Sequence, residues 1–137
     1  MFRAIPLFVV LLVAYNLAML FGDIETTLPT VMYTFNLMSG SEWNFTVSDL
    51  YVILGVLILY IEVFKSTYTG VASVIDHSLS MLVFIVFLVE FLLVKSCGTS
   101  TFFILTLMSL LDVISGFTVS IVAARRDFSF GGGGDIG

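Results

Sequence analysis

Residues that carry chemistry are scarce in this chain: 137 positions hold one cysteine, one histidine, one tryptophan, two prolines and five lysines or arginines. A lone Cys97 cannot close an internal disulfide, so it says nothing about redox compartment; it is either an inert thiol near a helix end or a bridge between two copies. With His77 the only histidine, no Cys/His pair stands in a plausible setting, and a closed metal site would need several chains. No glycine-rich phosphate loop precedes a helix; the glycines at 131–134 follow one. A nucleophile and base at one depth would be Asp112 with Ser109 or Ser115, too generic for an intramembrane hydrolase. A formal net charge of −5 argues against nucleic acid and leaves no polybasic segment for anionic lipid. The expectation is a protein that is not an enzyme, with no cofactor and no metal.

What the chain has in excess is apolar surface. Hydrophobic residues make up 59% against 11% charged, with 14 phenylalanines, and a soluble domain of this length needs more polar surface to cover its core. The mean hydropathy of +1.15 agrees. Four apolar runs stand out, at about residues 5–21, 50–64, 75–94 and 102–124. The second is short for a span, but Tyr51 and Tyr60 suit its interfaces. Glycine and β-branched residues inside the runs do not argue against helices, because lipid forces the backbone to bond to itself. The first run resembles a signal peptide in its Met-Phe-Arg start, but Met19, Leu20 and Phe21 leave no small-x-small cleavage site, so it reads as a retained span.

The basic residues orient these spans. With the N-terminus inside, Arg3, Lys65, Arg125 and Arg126 are cytoplasmic and Lys95 alone is outside. The segment after the first span faces outward and carries Asp23, Glu25 and Glu42 with no Lys or Arg. In it Val31, Tyr33, Phe35 and Leu37 alternate with polar residues. Ser39-Gly40-Ser41-Glu42 intervenes, and Trp43, Phe45 and Val47 alternate again, which reads as a β-hairpin over about 30–47. The rival is an interfacial helix using Leu28, Val31, Met32, Phe35 and Met38. An isolated hairpin is marginal in water, so the Tyr33, Phe35, Trp43 and Phe45 face is expected on the membrane or a partner. Ser48 and Asp49 are the expected cap of the second span. Asn44-Phe45-Thr46 is a weak glycosylation match, and residues 131–137 read as a flexible Gly-rich tail.

Several stretches carry a resemblance: Ser39 to Thr46 with Asp49-Leu50, and Ile61-Glu62-Val63-Phe64-Lys65-Ser66-Thr67. So do Ile75-Asp76-His77, Val89-Glu90-Phe91-Leu92-Leu93, Thr99-Ser100-Thr101-Phe102-Phe103 and Ala124-Arg125-Arg126-Asp127-Phe128. Together, between Thr30 and Phe128, they resemble a family of small proteobacterial membrane proteins without an assigned activity. The resemblance implies four spans and a bacterial inner (plasma) membrane.

Asp112 is the most informative residue. It lies roughly 15 Å from either end of its apolar run at ~1.5 Å per helical residue. A carboxylate at mid-bilayer marks a buried contact or a pathway. It shares a face with Ser109, Gly116, Ser120 and Ala124; small residues at this spacing let another helix approach, and serines bond across the contact. Asn16 or a serine is its expected partner. Glu90 is a second candidate, near the outer end of the third span; Asp49 sits at similar depth. Glu62, Lys65, Asp76 and His77 read as a polar belt at the cytoplasmic interface, with Glu62 and Lys65 spaced to pair and Asp76 opening the third span. Ser73, four residues before His77, faintly resembles pigment-binding spans.

These readings combine into an all-α membrane protein: one domain over 1–130, an antiparallel four-helix transmembrane bundle with both termini cytoplasmic and a small outward β-hairpin between helices 1 and 2. The expected function is a non-enzymatic membrane subunit or scaffold, a homo-oligomer or part of a complex with other membrane subunits. Two alternatives stand beside it: an oligomeric proton or small-cation pathway using Asp112 and Glu90 with Asn16 nearby, and a haem or quinone redox module.

Overall fold

A computed structural model describes residues 4–131. Arg3 and the tail from Gly132 onward lie outside the described residues, so their parts in the charge bias and the flexible tail are not addressed. The chain is mostly helical with one two-stranded antiparallel sheet. In order come α1 (Phe8–Phe21), a single turn α2 (Ile24–Thr27), β1 (Val31–Asn36), β2 (Glu42–Thr46), α3 (Val47–Lys65), α4 (Val71–Leu93), a 3-10 turn (Lys95–Cys97) and α5 (Ser100–Gly131). Three helices, α3, α4 and α5, are long and apolar enough to cross a membrane, whereas the 14-residue α1 is shorter.

The hairpin forms where alternation predicts it. Tyr33 pairs with Phe45 and Phe35 with Trp43, which puts all four rings on one face. The Phe35 and Trp43 rings stack at 5.4 Å between centroids. The turn closes through Leu37 N–H to the Ser41 carbonyl at 2.9 Å, and Gly40 takes φ +84°, which only glycine adopts at little cost. The interfacial-helix rival is thereby overturned.

Helix boundaries differ from the apolar runs for local reasons. The second strand feeds directly into α3, so that helix begins at Val47 rather than near 50. Its cap is Thr46, not Ser48. The Thr46 hydroxyl accepts from Asp49 N–H at 3.2 Å and Asp49 Oδ2 accepts from Thr46 N–H at 2.9 Å, a reciprocal capping box. Ser48 instead meets the Thr101 hydroxyl at 2.6 Å, tying α3 to α5. Gly70, at φ +118°, ends the α3–α4 turn, and α4 starts at Val71. Asp76 and His77 therefore lie inside α4 instead of opening it. Past its apolar run, α5 continues through Arg125, Arg126 and Asp127, because nothing there breaks a helix.

Two sets of contacts define the ends of the molecule. At one, the start of α1 meets the end of α3, and Lys65 reaches Asp76 on α4. At the other, the Tyr15 hydroxyl donates to the Ser96 carbonyl at 3.1 Å and Tyr51 reaches the Ala14 carbonyl at 3.3 Å. We call these the Lys65 end and the hairpin end. Between them lies a core of Phe8, Tyr15, Phe87, Phe102 and Leu105, each at most 1% exposed. The Phe87 and Phe102 rings sit 5.3 Å apart, and Phe8 meets Phe87 edge-on at 6.5 Å.

Two glycines set how closely α5 approaches its neighbours. A Cβ at Gly55 would lie 2.7 Å from Met108 Sδ, and a Cβ at Gly116 would lie 2.5 Å from His77 Nδ1. The first seats α3 on α5; the second lets the His77 ring rest on the α5 backbone. Outward, α3 and α4 present apolar side chains such as Leu57, Leu82 and Leu93.

Candidate functional site

Glu62 and Lys65 are three apart on α3, the spacing that puts an acid and a base on one helical face. Lys65 Nζ lies 3.2 Å from both Glu62 carboxylate oxygens, 3.1 Å from Asp76 Oδ1 and 2.9 Å from the Ile5 carbonyl, to which it donates. Glu62 also accepts from the Leu7 N–H at the start of α1. The α1 N-terminus, which has no side-chain cap of its own, is thus capped by a carboxylate from another helix. One ammonium joins α1, α3 and α4.

Two of the four residues expected in a polar belt at the cytoplasmic interface are buried within the protein. Glu62 is 1% exposed and Asp76 3%. The early start of α4 explains the difference: Asp76 falls on the helix's second turn, on the face that packs inward. His77 is half-buried, its Nε2 3.2 Å from the Ser73 hydroxyl and its ring against Gly116, so the Ser73–His77 spacing serves a helix contact.

Asp112 comes from α5 into the same region. It is 3% exposed, with Ser80 beside it and with Glu62, Asp76 and Lys65 within electrostatic reach. Lys65 bonds to Glu62 and Asp76 but makes no ion pair with Asp112. Among the described residues, three buried polar atoms make no hydrogen bond of ordinary geometry: Asp112 Oδ2, Ser80 Oγ and Ser109 Oγ. Ser109 precedes Asp112 by one turn on the same face. Of the small-residue face on α5, Ser109, Asp112 and Gly116 are buried, whereas Ser120 and Ala124 are exposed.

Asn16 does not partner Asp112. Its Nδ2 donates to Glu90 Oε2 and to the Leu12 carbonyl, each at 2.9 Å. The reason is direction: α1 starts at the Lys65 end, so its ninth residue has already reached the hairpin end, where α4 finishes. Cys97, fully buried in the 3-10 turn, points its Sγ at Glu90 Oε2 across 3.9 Å. Burial, and then the Glu90 carboxylate, push the Cys97 thiol up to about 11. Asp49 stays in the α3 cap, apart from Glu90.

The structure therefore separates the two acids singled out from sequence. Asp112 belongs to a charged centre at the Lys65 end, Glu90 to a smaller one at the hairpin end, and ten residues of α4 between Ser80 and Glu90 span about 15 Å. Val83, Phe87, Phe102 and Leu105 fill the interval. Sequence reasoning missed Ser80, although its position one turn after Asp76 was a usable signal. It also missed Gly55 and the Leu7 N–H, which no local pattern marks. Among the described residues, no group of three or more His, Cys, Asp or Glu is arranged to hold a metal. No protein-family model, curated protein or solved structure matches this chain.

Proposed function

We propose that this protein is a non-enzymatic integral membrane subunit or scaffold that crosses a bacterial inner membrane four times with both ends cytoplasmic. Support for the fourth crossing comes from α1. Its start contacts Glu62 and its Ala14 carbonyl contacts Tyr51, so it runs alongside α3 between those two residues. Lys65, Arg125 and Arg126 lie toward one end and Lys95 at the other, in keeping with the positive-inside rule. The hairpin's aromatic face, with Tyr33 61% and Trp43 44% exposed, suits the headgroup layer or a partner.

One observation carries the association. The row of small residues on α5 is covered by α4 as far as Gly116 and then emerges uncovered at Ser120 and Ala124. Beside it lie Gly70 of the α3–α4 turn and Ser73 of α4, so this stretch admits a further helix at close range. In a Cys97→Ser background, cysteines placed at Ser120 and Ala124 should crosslink in membranes to a second copy or to another subunit. A cysteine at lipid-facing Leu57 should not. A chain that stays monomeric in native mass spectrometry and forms no crosslink overturns the reading.

A further inference from the structure

We propose that Asp112, Ser80 and Ser109 form a binding site for one small monovalent cation, a proton or a bare alkali ion. The first argument is charge. Glu62, Asp76 and Asp112 bring three acidic groups into one buried region that holds a single lysine, and Lys65 is committed to Glu62 and Asp76. Asp112 has no basic partner, and a buried charge without a counter-charge is costly enough that it acquires one or is neutralised.

The second argument is independent of charge. Asp112 Oδ2 and the hydroxyls of Ser80 and Ser109, on residues 3%, 2% and 1% exposed, make no hydrogen bond of ordinary geometry among the described residues, although Ser80 lies close enough to Asp112 to interact with it. Buried polar groups are nearly always satisfied, so such oxygens on Asp112, on Ser109 one turn before it and on Ser80 beside it point to something they receive together. All three are hard oxygen donors, the chemistry that a proton or alkali ion requires and that soft metals do not favour. A proton would add to Asp112 Oδ2 and make it a donor to a serine hydroxyl. An alkali ion would accept lone pairs from all three, and no bond breaks in either case.

The groups facing the site are Glu62 and Lys65 from α3, and Ser80, Asp76 and the half-buried His77 from α4. His77 rests on Gly116, one turn beyond Asp112, and borders the groove that opens past it along Val74, Phe117 and Ser120.

The test uses the purified full chain in detergent, melted by circular dichroism in NaCl, KCl or choline chloride at equal ionic strength, and in choline across pH. For an alkali-ion site, the wild-type Tm should rise by several degrees in sodium or potassium relative to choline. For a proton site, it should rise by a similar amount as pH falls, with no response to either alkali ion. Asp112→Asn should lose that response, and Ser80→Ala/Ser109→Ala should weaken it. Glu62 and Asp76 remain in every variant, so the difference between chains isolates Asp112. If Asp112→Asn does not fold, the double-serine variant carries the comparison. Equal responses in wild type and variants, or no response to acid or alkali ion in the wild type, overturn the proposal.

Discussion

The two polar centres of this molecule solve the same problem differently. At the hairpin end, one acid, Glu90, is met by a neutral amide, Asn16, and a thiol, Cys97, and it is only half-buried. At the Lys65 end, three acids are nearly fully buried around one half-buried lysine, and they draw on α1, α3, α4 and α5. A half-exposed carboxylate keeps part of its solvation and needs only hydrogen bonds. A deeply buried group of unequal charge needs a counter-charge, and its parts depend on one another. The apolar layer of Phe8, Phe87 and Phe102 keeps the two centres apart, so any ion path that used both acids would have to run between copies rather than through one.

That contrast can be broken most severely at Lys65. Lys65→Met should leave Glu62 and Asp76 buried without their ammonium and cost about 3–5 kcal/mol, read by chemical denaturation in detergent. A loss below about 1 kcal/mol would show that the centre is wetter or looser than its geometry. The next largest effect is expected at the glycine beside it. Gly116→Ala drives a methyl into the His77 ring and should cost about 1–3 kcal/mol. Gly55→Ala meets only the ends of the Met108 and Leu105 side chains, which can swing away, so it should cost less. The reverse ranking would mean that α5 is seated by α3 instead of α4.

At the hairpin end the effects should be smaller. Asn16→Ala removes a neutral donor from a half-buried acid, for about 1–2 kcal/mol, clearly below Lys65→Met in the same assay. The Cys97 thiol offers a pH test. Its folded value of about 11 lies above the ordinary thiol value of 9.0, so the folded state holds this proton more tightly than the unfolded state. The contribution is complete below pH 9 and is lost as pH rises toward 11. Cys97→Ser should therefore flatten the alkaline decline in stability above pH 9. The slightest effect is expected from Glu90→Gln on thiol chemistry. With the neighbouring charge gone, Cys97 alkylation at mildly alkaline pH should quicken modestly in a mass-spectrometric time course.

Local pattern carried the hairpin and the polar interval that separates the first helix from the third. Tyr33, Phe35, Trp43 and Phe45 needed only period-two spacing and a glycine turn to be read correctly. Gly116 was legible as a packing residue because small residues recur at four-residue spacing around it. The polar groups were not legible in the same way. Of the partners expected for Asp112, Asn16 meets Glu90 instead while a serine, Ser80, does lie beside it, and Glu62 and Asp76, expected in an interfacial polar belt, are buried. Within long apolar runs, periodicity hardly distinguishes an inward from an outward face, because lipid and protein interior are alike to a leucine.

Composition and run length sufficed to establish an apolar, helical protein with a short β-hairpin. They do so because chain solvation and backbone hydrogen bonding respond to the type and spacing of residues near one another. Which acid meets which partner was decided by packing between segments 50 or more positions apart, as in Leu7 with Glu62 or Asn16 with Glu90. Those pairings follow from helix direction and from the two glycines that let α5 settle against its neighbours, and neither leaves a trace in local sequence.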